Sequence, residues 1–113
     1  MVQVREGVAG PSRGFRALAP VGQFLGEPRF KWAPIEAAWI YRVELTDEQG
    51  TVVATGWSGF SELPLAWLRD AVGQAPELTP GERYRWKLFA YQDRPDGPPF
   101  AAAPEAEFLF LGS

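Results

Sequence analysis

Neither cysteine nor histidine occurs in the 113-residue chain. The first absence removes disulfides and thiolate chemistry, the second removes the usual general base at neutral pH, and together they remove most zinc and copper sites. Serine nucleophiles lose their partner as well, because Ser12, Ser58, Ser61 and Ser113 have no imidazole to activate them and no Ser–Lys motif. No run approaches the roughly eighteen apolar residues that a membrane-spanning helix needs. The Lys and Arg residues number 11 and are scattered singly among 14 Asp and Glu, for a net charge of -3, so the basic footprint of a nucleic-acid binder is missing. Met1-Val2-Gln3-Val4-Arg5-Glu6 lacks the basic-then-apolar pattern of a secretion signal. The expectation is a segment of a longer protein, with an extracytoplasmic setting favoured.

The carboxylates fall where solvent is expected. Of Glu36, Asp47, Glu48, Asp70, Asp93, Asp96, Glu105 and Glu107, most sit in turns or on the outward sides of strands, which argues against a converging catalytic pair. Asp93-x-x-Asp96-Gly97 offers calcium two carboxylates, well short of the about six to eight oxygens the ion takes, and reads as a turn. No glycine-rich phosphate loop joins a strand to a helix. The expectation is a protein with no catalytic residues, no metal and no cofactor, and therefore not an enzyme.

What the chain has in quantity is turn residues and aromatics: 11 Pro, 12 Gly, 5 Trp, 8 Phe and 3 Tyr, a balance that favours many short strands over helices. Residues 1–17, with Gly7, Gly10, Pro11 and Gly14, read as a lead-in or linker, and 18–113 as one β domain. Leu18 to Gly22 reads as an edge strand broken by Pro20. Pro28 to Trp32 alternates and reads as a second strand. Trp39 to Thr46 is the longest, with Trp39, Tyr41, Val43 and Leu45 inward, and Thr51 to Thr55 returns from it as a hairpin through Asp47-Glu48-Gln49-Gly50. Gly56 to Ser61 reads as a crossing between sheets. Leu65, Leu68 and Val72 stand at helical spacing between Pro64 and Gly73, which predicts a short inserted helix. Tyr84 to Tyr91 and Ala106 to Leu111 alternate as two more strands. About seven short strands separated by turns in roughly a hundred residues is the pattern of a two-sheet antiparallel sandwich.

Three stretches resemble a fibronectin type III or immunoglobulin-like domain of bacterial type, over about residues 18 to 111. Phe30-Lys31-Trp32-Ala33-Pro34 resembles the family's second strand, and Ala37-Ala38-Trp39-Ile40-Tyr41-Arg42-Val43-Glu44-Leu45 its third. Leu78-x-Pro80-Gly81-x-x-Tyr84-x-Trp86 resembles the tyrosine corner, in which the phenol bonds back to the turn before it. The resemblance implies a non-catalytic interaction or structural module, with the strands carrying Ile40, Tyr91 and Leu109 side by side in one sheet. A fainter similarity is to the extracytoplasmic regions of anti-sigma-factor-like proteins.

If Tyr84, Trp86 and Leu88 face the core, then Arg85, Lys87, Phe89 and Tyr91 face outward, joined by Ile40, Arg42, Leu109 and Leu111. Ile40, Phe89, Tyr91 and Leu109 then form an apolar strip, with Arg42 and Arg85 on its rim, suited to a protein partner: a second copy or another domain of the parent chain. Cover by the lead-in or by the 64–73 segment is the alternative. Trp57 and Trp67 are candidate sugar-stacking residues, which would make the chain a carbohydrate-binding module, although helix amphipathicity assigns Trp67 to the core.

Overall fold

The computed structural model describes residues 14–92 and 97–112. Among the described residues nine strands run in chain order: β1 (Ala17–Ala19), β2 (Gly22–Leu25), β3 (Arg29–Trp32), β4 (Ile40–Thr46), β5 (Val52–Ser58), β6 (Glu62–Pro64), β7 (Arg83–Tyr91), β8 (Ala101–Ala102) and β9 (Ala106–Gly112). They form two sheets. The smaller has the order β1-β3-β6, and the larger β2-β9-β7-β4-β5, with β8 beside the upper half of β7. The two-sheet β sandwich expected from the alternating segments is therefore the architecture, antiparallel except at β2, and β4, β7 and β9 lie side by side. The interrupted first strand divides between the sheets: β1 pairs with β3, and after Pro20 β2 runs parallel to β9.

Alternation decides which side chains meet in the middle. Phe30 and Trp32 project from β3, and Tyr41, Val43, Leu45, Tyr84, Trp86, Leu88, Phe108 and Phe110 face them from the larger sheet, all buried. Phe30 meets Trp86 edge-on with centroids 5.0 Å apart, and Trp32 packs on Tyr41 at 5.4 Å, geometry that aromatic quadrupoles favour. The Trp86 indole N–H donates to the Pro20 carbonyl at 3.1 Å, tying the centre of β7 to the chain between β1 and β2. At the corner before β7, Gly81 takes φ +90, which only glycine adopts freely. The Thr79 N–H donates to the Tyr84 hydroxyl at 2.8 Å, so the phenol closes the turn as the sequence pattern requires.

Several expectations are corrected. Phe15, assigned to the lead-in, is buried against Tyr41 with centroids 5.9 Å apart, so the packed chain starts before Leu18; residues 1–13 lie outside those described. Trp39 is not inward but 57% exposed, and its strand begins one residue later. The smaller sheet explains this, because its strands of three or four residues stop short of the far end of the seven-residue β4.

The helix expected from Pro64 to Gly73 is a single 3-10 turn, Leu65–Trp67. Leu65 and Leu68 do point inward, but the spacing of three is met by that one turn, and Val72 is 76% exposed. Beyond the turn the backbone is committed elsewhere: Arg69 exchanges both hydrogen bonds with Thr55 at 3.0 and 2.9 Å, and Asp70 Oδ1 accepts from Val72 and Gln74. The Arg69 bridge also occupies part of the free edge of β5, which limits edge-to-edge pairing with another sheet.

Candidate functional site: the outer face of the larger sheet

Register places the outward residues in rows. Across one row stand Trp57 on β5, Arg42 on β4, Phe89 on β7 and Ala102 on β8. The next row toward the middle holds Thr55, Glu44 and Lys87, and the one beyond it Thr46, Arg85 and Glu107. Ile40 and Tyr91 pair at the opposite end.

The Arg42 guanidinium lies between two rings, 6.0 Å from the Trp57 centroid and 5.9 Å from that of Phe89. Adjacent strands are about 4.8 Å apart, so side chains in one cross-strand row have little choice but to touch, and a planar cation between two aromatic faces gains about 0.5–1 kcal/mol per contact at a partly exposed position. Glu44, two residues along the same face, holds the other side of Arg42 at 3.5 Å. Both side chains are mostly covered, at 28% and 18% exposure, so the guanidinium has a fixed position rather than a free swing. Trp57 reaches over β4 to Tyr91, with centroids 5.1 Å apart.

The residues singled out in the sequence divide accordingly. Ile40, Arg42, Phe89 and Tyr91 come together at one end of the face, but Tyr91 is only 6% exposed, with the Trp57 ring lying against it. Trp57 itself belongs to β5 and not to a crossing loop; 40% exposed, it caps the cluster. Leu109 does not join the cluster. It pairs with Arg83, six residues down β7 from Phe89 and so roughly 20 Å away, and the charged rows lie between. Arg85 sits in one of those rows, 3.9 Å from Glu107, which Arg83 also approaches at 3.6 Å. The apolar strip is thus a compact aromatic end followed by a charged field.

The field has a sign. Arg42, Lys87, Arg85 and Arg83 face out against Glu44 and Glu107, a basic balance on a chain whose net charge is -3. Among the described residues nothing folds over the face: Phe15 enters the core, and Leu68 of the 65–68 turn packs on the inward side of β5 against Gly56.

Trp67 corrects its assignment to the core. It is 67% exposed on the 3-10 turn, on the side of the molecule where β3 and β6 present Arg29, Lys31 and Glu62. Phe60, 81% exposed beside it, was missed; the only signal was an aromatic in a Gly-Ser turn with no alternation to bury it. The acidic turn at 93–96 lies outside the described residues. Among the described residues no three Asp or Glu come together in a way that holds a metal ion, and no helix is long and apolar enough to cross a membrane.

No family model and no curated protein matches the chain. Among solved structures, the crystal structure of CopC from Methylosinus trichosporium OB3b is similar, with a TM-score of 0.51 and 17% sequence identity over 87% of this chain and 94% of that one. At that identity the likeness concerns the fold, and it agrees with the β sandwich built above from alternation and register.

Proposed function

We propose that the chain is a non-catalytic protein-interaction module of the fibronectin type III or immunoglobulin-like kind, which docks a protein partner on the outer face of its larger sheet. The subfamily reading is supported by the closed corner between Thr79 and Tyr84 and by the adjacency of β4, β7 and β9. The docking reading rests on one observation: an arginine fixed between Trp57 and Phe89 on a sheet face that nothing among the described residues covers.

Trp, Tyr and Arg are the residue types over-represented where binding energy concentrates. Here they are held before any partner arrives, so little side-chain entropy remains to be lost on docking. The partner surface that fits is apolar at its centre, to cover Trp57 and Phe89, with carboxylates placed for Lys87 and Arg85. Such charges contribute more to encounter rate and orientation than to final affinity.

The test substitutes Trp57→Ala, Arg42→Ala and Phe89→Ser singly and compares self-association by sedimentation and partner capture with the parent, while urea denaturation follows the fold. Loss of association with the fold intact supports the module. Unchanged association in all three variants rejects it.

A further inference from the structure

We propose that the opposite side of the sandwich carries a saccharide-binding groove walled by Trp67 and Phe60. It goes beyond the docking reading and shares no residue with it. The groove has a volume of about 470 Å³ and is lined by Glu27, Arg29, Phe60, Glu62, Pro64 and Trp67, among others. That is the size range of small-molecule clefts, roughly 300–1,000 Å³.

The backbone beneath both aromatic walls is anchored although the rings are exposed. Trp67 is turned out because Leu65 and Leu68, on either side of it in the 3-10 turn, are buried. The turn carrying Phe60 is fixed by Ser58: its hydroxyl accepts from the Phe60 N–H at 3.0 Å and donates to the Glu62 carbonyl at 2.9 Å. Between the walls Arg29 and Glu62 pair across β3 and β6 at 2.6 Å, with about half of each side chain still open to solvent at 53% and 41%. A second cleft of about 410 Å³, lined by Ala75, Pro76 and Leu78, adjoins the first at Glu27 and Ala66.

The chemistry of these walls selects the ligand. A pyranose ring offers a C–H face that stacks on an indole or phenyl ring, and an edge of hydroxyls that both donate and accept. Arg29 supplies donors to that edge, and Glu27 and Glu62 supply acceptors. A purely apolar ligand would strip water from the Arg29–Glu62 pair without replacing its hydrogen bonds, which is costly. A phosphate-rich ligand would meet two carboxylates against one guanidinium. The adjoining cleft at Glu27 and Ala66 leaves room for a short oligosaccharide rather than a single sugar.

The experiment titrates the intact chain with soluble hexamers of β-linked glucose, xylose, mannose and N-acetylglucosamine, read by tryptophan fluorescence and calorimetry at up to millimolar ligand. Decaproline is a parallel probe for a proline-rich peptide in the same groove. Saturable binding of at least one saccharide is expected, weakened about tenfold or more by Trp67→Ala and also weakened by Glu62→Gln, and unchanged by Trp57→Ala. Trp67 is exposed, so its replacement leaves the fold standing, and urea denaturation checks this. No response from any saccharide, binding that survives Trp67→Ala, or binding of decaproline alone overturns the proposal. None of these outcomes bears on the Trp57–Arg42–Phe89 face.

Discussion

At Gly56 the absence of a side chain lets Leu63 and Leu68 pack close against β5, and replacing the glycine by alanine tests that packing quantitatively. A Cβ built at this position lies 2.6 Å from Leu68 Cδ2 and 2.9 Å from Leu63 Cδ2. Ordinary carbon contacts are about 3.5–4.0 Å, so the added methyl is nearly an ångström too close. Neither leucine has room to retreat, being 0% and 1% exposed. Overpacking of this kind costs about 1–3 kcal/mol, while removing a glycine from the unfolded chain returns about 0.4–1 kcal/mol. The net expectation for Gly56→Ala is a loss of about 1–2 kcal/mol, or a fall in Tm of roughly 4–10 °C for a domain of this size. Gly59→Ala is the control, since a Cβ there meets nothing within 4 Å; its Tm should stay level or rise slightly. Thermal unfolding followed by far-ultraviolet circular dichroism reads both. If Gly56→Ala melts with the parent, the close approach of the 65–68 turn to β5 is wrong.

The remaining predictions concern the corner and the outer face. Tyr84→Phe leaves the buried end of the corner without the acceptor for the Thr79 N–H and should cost about 1–3 kcal/mol, lowering the urea midpoint with an unchanged slope. Leu68→Ala, at a fully buried position, should cost about 2–5 kcal/mol by the same assay. Arg42→Glu removes the cation from between two rings and sets a like charge beside Glu44; it should change stability by only about 1 kcal/mol and yet abolish association. Association through Lys87 and Arg85 should also weaken as ionic strength rises, because exposed charges are screened over about 8–10 Å at physiological salt; a salt-independent affinity would remove the charged field from the account.

Where the chain alternates, the sequence was a good guide to the structure. β4 from Tyr41 onward and β7 from Tyr84 to Ala90 have their faces correctly read from period two, and the Tyr84 corner was visible because proline, glycine and tyrosine must stand at fixed offsets. The readings that failed depend on non-local contacts. Leu65 and Leu68 fit one 3-10 turn as well as a helix, and only the pairing of Arg69 with Thr55 decides between them. Gly56 looked like the start of a loop, whereas it is glycine inside a strand because Leu68 occupies the space of its side chain. That misreading displaced Trp57 from the outer face, and without Trp57 the burial of Tyr91 and the clamp on Arg42 were invisible. Leu109 was grouped by parity alone, which fixes the face of a residue but not its distance along the strand.

The central claim is that the Trp57–Arg42–Phe89 end of the larger sheet is a protein-docking face. Site-specific photo-crosslinking in cells tests it most directly, with the photoreactive residue placed at Phe89, at Lys87, or at Lys31 on the smaller sheet. A discrete protein adduct is expected from Phe89 and Lys87, none from Lys31, and loss of the adduct when Arg42→Glu is combined with the probe. Adducts from Lys31 alone, or from all three positions alike and indifferent to Arg42→Glu, would contradict it.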